Sequence, residues 1–141
     1  MSIIQHHTFL RVRYSETDQM GFVYYGNYAA YFEVARVEAL RSLGISYKSL
    51  EENGILMPVK HYEISYLRPA RYDEQLQIKT TIKEIPKSEI LFEYETLNEK
   101  KEIINKAKTS LVFLNASKMR PIRAPQLIID ALNLQIEKNG H

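Results

Sequence analysis

One segment of the chain carries a clear helical pattern of apolar and polar residues. Between residues 28 and 43, apolar side chains recur at steps of three and four, so they share one face of a helix. We expect Asn27 to be the N-cap of this helix and Gly44 its C-terminal stop. The shared face comprises Tyr28, Tyr31, Phe32, Ala35, Ala39 and Leu43, whereas Arg36, Glu38 and Arg41 fall largely off it.

Most of the remaining chain alternates between apolar and polar residues, which is the pattern of half-buried strands. Strands are predicted at residues 8–14, 55–67, 74–84, 90–96 and 103–113, with a bend or a sheet edge at Pro58. Short turns separate the later strands, so neighbouring strands should pair antiparallel. The predicted inward positions are Leu76, Ile78, Thr80, Ile82, Ile90, Phe92, Tyr94, Thr96, Ala107, Thr109, Leu111 and Phe113.

The order of these elements predicts an α+β fold in which a long, curved antiparallel sheet wraps around one central helix. The sheet needs one face covered, and the segment before Gly44 is the only element long enough to cover it. A helical turn at residues 46–53 and a terminal helix at 124–138 complete the prediction. A chain of 141 residues suits one domain, residues 1–141.

Composition narrows the function classes. The formal net charge of +2 gives no case for nucleic acid as the main partner. The chain has no cysteine, which excludes disulfides and thiolate catalysis, and His61 has no clustered second ligand, so no metal is expected. No apolar run approaches the roughly 18 residues of a spanning helix, so we expect a cytoplasmic protein without membrane insertion.

Asp18 is the best candidate for a chemical role. It lies in a polar loop just ahead of the central helix, whose first N–H groups and positive dipole end are available to an anion or a developing oxyanion. The alternative interpretation is structural, because an aspartate in such a turn is commonly a cap or an Asx-turn residue. Glu16, two residues away, is expected to face solvent or to tune Asp18.

Four segments of the chain resemble one known family. The run Tyr14-x-Glu16-Thr17-Asp18-x-x-Gly21-x-Val23-Tyr24-Tyr25-x-Asn27-Tyr28 is similar to the signature of the 4-hydroxybenzoyl-CoA thioesterase-like family, which has the hotdog fold. The resemblance continues at Tyr66-x-Arg68-Pro69-Ala70 with Asp73, at Ser88, and at Arg120-Pro121. It therefore spans nearly the whole chain.

The resemblance implies an acyl-CoA thioesterase, which hydrolyses a coenzyme A thioester to a free acid and CoA. Asp18 would be the catalytic carboxylate, acting as general base or as nucleophile, and the Tyr25 backbone amide would polarise the carbonyl. No cofactor is expected beyond the CoA of the substrate. The implied substrate-binding residues are Gly21, Val23, Tyr24, Asn27 and Tyr28, and the implied CoA-binding residues are Lys87, Lys118 and Arg120.

The resemblance also bears on mechanism and assembly. Many relatives carry a histidine where this chain has Tyr25, so a mechanism that needs an imidazole there is not available. The family pairs two hotdog domains with active sites at the subunit interface, so a homodimer or homotetramer is expected. Two alternatives stay open: an acyl-carrier-protein thioesterase, and a non-catalytic hotdog protein that binds acyl thioesters.

Overall fold

A curved antiparallel sheet and a central helix make up most of the fold. The computed structural model describes residues 2–140, so the predicted domain of residues 1–141 extends one residue beyond the described part at each end. The strands are β1 (Ile4–Arg11), β2 (Ile55–Leu56), β3 (Val59–Tyr66), β4 (Gln75–Ile82), β5 (Glu89–Leu97), β6 (Ile103–Asn115) and β7 (Arg120–Ile122). The α-helices are α1 (Tyr28–Arg41), α2 (Tyr47–Glu52) and α3 (Gln126–Asn139).

The long strands run in the order β1, β4, β5, β6, β3, and every neighbouring pair is antiparallel. The short strands β2 and β7 both pair with the C-terminal end of β6. The chain bends at Pro58 between β2 and β3, as predicted, and β3 lies at the edge of the sheet. Within residues 2–140, β3 pairs only with β6, so its other edge is open.

The helix α1 covers one face of the sheet, and this confirms the predicted architecture. Phe32 is 0% exposed and stacks on Tyr94 of β5, with ring centroids 4.6 Å apart. The predicted inward positions of β4, β5 and β6 are all buried, from Leu76 to Phe113. Alternation along each strand was therefore sufficient to identify the face that packs against the helix.

One side of α1 is buried more widely than its periodicity predicts. Arg36, expected off the buried face, is only 7% exposed and lies beside Tyr47 of α2 and Tyr94 of the sheet. The prediction was wrong because α2 covers this flank of α1, and periodicity within α1 carries no information about α2. The helix also ends at Arg41, two residues before Leu43.

The terminal helix α3 is confirmed close to its predicted bounds. It begins directly after Pro125 and packs through Ile128 and Leu132, while Leu127 and Leu134 remain exposed. Within residues 2–140, no helix combines the length and the apolar character needed to cross a membrane.

We expect replacement of Phe32 by alanine to destabilise the fold strongly. Phe32→Ala removes a fully buried ring from the contact between α1 and β5, so the free energy of unfolding should fall by about 3–5 kcal/mol. Urea denaturation followed by circular dichroism measures this change. Val34→Ala is the matched control on the same helix, because Val34 is 47% exposed and its loss should cost at most about 0.5 kcal/mol. Equal losses for the two variants would contradict the assigned helix face.

Candidate active site

A tight turn holds the Asp18 carboxylate just ahead of α1. The Gly21 N–H donates to the Asp18 carbonyl at 2.9 Å, and Gly21 has a φ of +86°, which a glycine adopts without strain. Oδ1 of Asp18 accepts hydrogen bonds from the N–H groups of Met20 at 3.0 Å and Phe22 at 3.2 Å. The Asx-turn interpretation is therefore correct for one oxygen. Within residues 2–140, the second oxygen, Oδ2, has no hydrogen-bond partner and is available for chemistry.

Glu16 connects this loop to α1 through both its backbone and its side chain. Its carbonyl accepts hydrogen bonds from the Tyr24 N–H at 2.9 Å and from Asn27 Nδ2 at 2.7 Å. Its carboxylate accepts from the Arg13 N–H at 2.8 Å and from the Tyr31 hydroxyl at 2.9 Å. The side chain is only 15% exposed, so the expectation that Glu16 faces solvent is wrong.

The side chain of Asn27 does not cap α1, which corrects the sequence prediction. An N-cap residue normally has an extended backbone, and its side chain accepts a hydrogen bond from the first helical turn. Asn27 instead has helical φ and ψ of −76° and −19°, because a short 3-10 helix, Tyr25–Asn27, runs directly into α1. The side-chain amide of Asn27 donates a hydrogen bond to the Glu16 carbonyl, and this contact holds the Asp18 loop against the helical segment.

A groove of about 310 Å³ opens between the Asp18 loop and the segment that follows β3. The Val23 N–H donates to the Ala70 carbonyl at 2.8 Å, and the Arg71 guanidinium lies over the Phe22 ring at 5.1 Å, so the two walls are joined. Four residues singled out from the sequence line this groove together: Asp18, Val23, Tyr25 and Tyr28. The other lining residues are Met20, Phe22, Tyr66, Leu67, Arg68 and Pro69.

Three predicted substrate-binding residues do not line the groove. Gly21 makes the turn that presents Asp18, and Asn27 fastens the loop to Glu16. Tyr24 stacks on Tyr25 with ring centroids 4.8 Å apart. These three residues support the segments that form the groove. The motif match could not distinguish such a supporting role from direct contact with a substrate.

Sequence reasoning also missed several groove residues. Tyr66, Arg68 and Pro69 belong to the second motif, which was the available signal. Met20 and Leu67 carried no signal, because only folding brings the Asp18 loop against the end of β3.

The start of the helical segment supplies a free main-chain donor beside Asp18. The first N–H groups of a helix have no intrahelical acceptor. The Tyr25 N–H, first in its 3-10 helix, also has no acceptor elsewhere in residues 2–140. Tyr25 lines the same groove as Asp18, so the residue that carries this N–H and the residue that carries the carboxylate share one groove.

Tyr28 and Tyr66, two residues of the groove wall, are neutral at physiological pH. Burial raises the pKa of Tyr28 to about 12, and the neighbouring Tyr66 adds to this shift. Burial also raises the pKa of Tyr66. Their rings lie 5.8 Å apart and form a largely apolar wall. Neither of these two phenols therefore supplies a negative charge to the groove near neutral pH.

The predicted CoA-binding residues lie far from Asp18 in the same chain. Lys87, Lys118 and Arg120 are all exposed. Arg120 pairs with Asn115 at one end of β6, whereas the groove lies beside residue 105 at the other end. Ten strand residues correspond to roughly 30 Å. One chain therefore does not bring these cations to the groove.

A larger concavity, about 640 Å³, lies on the opposite face of the sheet. Four of its charged side chains form two ion pairs: Lys79 lies 2.8 Å from Glu95, and Lys83 lies 3.2 Å from Glu93. We assign the candidate site to the smaller groove, because that groove is lined by Asp18 and by other residues singled out from the sequence. No group of three or more potential metal ligands occurs within residues 2–140.

Comparisons with known proteins agree with this geometry. The family model described as the thioesterase-like superfamily matches residues 12–132. The putative acyl-CoA thioesterase YneP of Bacillus subtilis is 35% identical over 114 residues, which cover 81% of this chain and 83% of that protein. The acyl-CoA thioester hydrolase YbgC of Escherichia coli is 32% identical over 120 residues, or 85% and 90% of the two chains. The crystal structure of DHNA-CoA thioesterase from Staphylococcus aureus superposes with a TM-score of 0.87 at 33% identity, covering 96% and 91%.

We expect Glu16→Gln to loosen the Asp18 loop in a pH-dependent way. Burial alone would raise the pKa of Glu16, but hydrogen bonds from Arg13 and Tyr31 outweigh burial and lower the pKa below its ordinary value of 4.5. The ionised form therefore stabilises the fold above pH 4.5, and this stabilisation is lost as the pH falls through the lowered pKa. At pH 7 the free energy of unfolding of the variant, measured by urea denaturation, should be about 1–2 kcal/mol lower than that of the unsubstituted protein.

The loss caused by Glu16→Gln should shrink towards zero below the lowered pKa. Glu38→Gln is the control, since Glu38 makes only an exposed pair with Arg41 and should lose at most about 0.5 kcal/mol. A loss for Glu16→Gln that does not vary with pH would contradict the assignment.

Proposed function

The chain belongs to the thioesterase-like superfamily, and from this premise we propose that it is an acyl-CoA thioesterase, which hydrolyses a coenzyme A thioester to a free acid and CoA. The observation that carries this proposal is one groove lined by both Asp18, whose Oδ2 has no partner within residues 2–140, and Tyr25, whose N–H has none there. Thioester hydrolysis needs a group that activates the attacking atom and a donor for the oxyanion. The groove offers one of each.

The Tyr25 N–H is proposed to bind the thioester carbonyl oxygen. Negative charge develops on this oxygen as the carbonyl carbon becomes tetrahedral, and the positive end of the helix dipole favours that charge. The main-chain donor is held by the 3-10 helix and needs no reorganisation during the reaction. Removal of one such donor typically lowers turnover by about 100- to 1000-fold.

Asp18 is proposed to act through Oδ2, while Oδ1 stays bound to the Met20 and Phe22 N–H groups. As general base, Oδ2 takes a proton from water as the water oxygen bonds to the carbonyl carbon. The C–S bond then breaks, the carbonyl re-forms, and the proton passes to the departing CoA thiolate. As nucleophile, Oδ2 attacks the same carbon, the C–S bond breaks to release the CoA thiolate, which takes up a proton, and water hydrolyses the resulting mixed anhydride to the free acid and the Asp18 carboxylate. Both routes use the same free oxygen.

A second copy of the chain is proposed to complete the CoA site. If the open edges of two β3 strands pair antiparallel, the Tyr66 end of one strand lies beside the Val59 end of the other. The Val59 end adjoins Leu111, on the side of the sheet where Arg120 lies. A homodimer built this way brings the partner's cations towards the groove. Exposed apolar residues beside the groove, such as Leu67 at 60%, would be covered at the same interface.

We expect Asp18→Asn to abolish most of the activity without unfolding the protein. The amide keeps an oxygen for the Met20 and Phe22 N–H groups but cannot take a proton or attack carbon, so kcat should fall about 100-fold or more. Thiol release from a panel of acyl-CoAs measures kcat, and urea unfolding checks the fold. Undiminished turnover would refute the catalytic assignment of Asp18.

Binding of acyl-CoA without hydrolysis by the unsubstituted protein would favour a non-catalytic role. Faster hydrolysis of matched acyl-carrier-protein substrates would favour the acyl-carrier protein as the natural carrier.

Mixed dimers test whether two chains share each site. Asp18→Asn and a Lys87→Ala/Arg120→Ala double variant should each have low kcat/KM. After the two are refolded together, roughly half of the dimers are mixed, and each has one intact site, so about a quarter of the unsubstituted activity should return. A triple variant with all three changes, mixed with Asp18→Asn, is the control and should stay inactive. Mixed dimers seen by native mass spectrometry without recovered activity would contradict the shared site, and a monomer in sedimentation equilibrium would contradict the dimer.

A further inference from the structure

Phe22 is bonded to Asp18 in both directions along the loop. The Asp18 N–H donates to the Phe22 carbonyl at 2.8 Å, and the Phe22 N–H donates back to Oδ1 of Asp18 at 3.2 Å. A distance of 3.2 Å is at the long end of the range for such hydrogen bonds, so a small displacement of Phe22 would break this one. The position of the Asp18 carboxylate therefore depends on what holds Phe22.

The segment that follows β3 holds Phe22 by its main chain and by its ring. The main chain of Phe22 pairs with that of Arg71 in an isolated antiparallel bridge, and the neighbouring Val23 N–H donates to the Ala70 carbonyl at 2.8 Å. Cζ of Arg71 lies 5.1 Å from the centroid of the Phe22 ring, a distance at which a cation attracts the face of an aromatic ring. Within residues 2–140 the Arg71 guanidinium has no ion-pair partner, so no carboxylate there competes with the ring for this cation.

A turn that is fastened to the core supports the main chain of Arg71. The Arg71 N–H donates to Oε1 of Glu74 at 3.1 Å, and the Asp73 N–H donates to the carbonyl of Val12, which is 1% exposed, at 3.0 Å. Asp73 has a φ of +69°, a left-handed conformation that aspartate adopts more readily than most residues. Asp73 belongs to the second sequence motif, so this motif residue shapes the turn that carries Arg71.

Arg71 itself does not line the groove, whereas Phe22 does. Arg71 is exposed and Phe22 is half-buried. An effect of Arg71 on chemistry in the groove would therefore pass through Phe22 to Asp18.

We propose that Arg71 is a positioning residue for the hydrolysis: its guanidinium holds the Phe22 ring, and Phe22 holds Oδ1 of Asp18 so that Oδ2 keeps its orientation. The inference rests on the proposed thioesterase function and adds a residue to it. Reacting groups are sensitive to placement, and a displacement of about 1 Å can lower a rate by about 100-fold. One cation–π contact at a partly exposed ring restrains Phe22 only modestly, so its loss should lower kcat by about three- to tenfold.

Two substitutions of Arg71 separate its charge from its packing. Arg71→Met keeps a long side chain over the ring without the cation, so kcat should fall about three- to tenfold while KM changes by less than about twofold. Arg71→Lys keeps a cation and should retain at least about half of the unsubstituted kcat. Arg41→Met is the control, because it removes the same charge where Arg41 pairs with Glu38 near the end of α1, and kcat should not change. Thiol release from butyryl-CoA or benzoyl-CoA, whichever the unsubstituted protein hydrolyses faster, gives both constants, and urea unfolding checks each fold.

A double-substitution cycle tests whether Arg71 acts through the Phe22 ring. Phe22→Leu removes the ring, so adding Arg71→Met to it should lower kcat by less than about 1.5-fold further. The proposal is overturned if Arg71→Met keeps the unsubstituted kcat, if Arg71→Lys loses as much as Arg71→Met, or if the full loss persists without the ring. A rise in KM at constant kcat would also overturn it, since Arg71 would then serve substrate binding alone.

Hydrogen exchange separates this proposal from the thioesterase assignment. If no acyl-CoA is hydrolysed, the proposed function fails, but the hold of Arg71 on the Asp18 loop is still tested by the exchange rate of the Phe22 N–H, measured by NMR. Arg71→Met should raise this rate about threefold or more, whereas Arg71→Lys and Arg41→Met should leave it near the unsubstituted value. An unchanged rate in Arg71→Met would refute the link between Arg71 and Asp18, whatever the protein hydrolyses.

Discussion

The packing of α1 against one face of the sheet is the interaction on which the rest of the structure depends. Phe32, stacked on Tyr94, anchors the helix to the middle of the sheet. The same packing sets where the helix begins, so Tyr25 lines the groove together with Tyr66 at the end of β3. The position of the groove is therefore a consequence of hydrophobic burial. The same burial places the N-terminal, positive end of the helical segment at the groove.

Polar contacts then align the Asp18 loop with that helix end. Glu16 joins the loop to Tyr31 and Asn27 of the helical segment, so the loop cannot shift without breaking several hydrogen bonds. The two carboxylate oxygens of Asp18 differ: Oδ1 accepts the hydrogen bonds that hold the turn, whereas Oδ2 has no partner within residues 2–140. A loop held by side chains outside the groove allows the groove itself to remain open for a substrate.

Two features of the chain lack hydrogen-bond partners within residues 2–140. The outer edge of β3 has main-chain groups without a strand partner in the described chain, and Asn105 has a buried amide without a partner. Unpaired strand edges and unpaired buried amides are both costly. The homodimer proposed above would pair the open edge of β3. Lys87, a predicted CoA-binding residue, lies at the far end of the sheet from Asp18. In the proposed homodimer it would lie towards the groove of the other chain.

Amino-acid order alone determined the five long strands, the buried helix, their inward faces and, through the motif match, the candidacy of Asp18. It placed the first strand at 8–14, whereas β1 is Ile4–Arg11, and it missed β7. Periodicity reports which side of its own element a residue occupies, and these properties need no more than that. Only the tertiary structure decided the burial of Arg36, the role of Asn27, the presence of Leu67 in the groove and the isolation of Asn105. Each of these depends on a contact between separate elements, set by strand register, a bulge or the position of α2. Local patterns do not encode such contacts, because they arise only when the hydrophobic faces pack together.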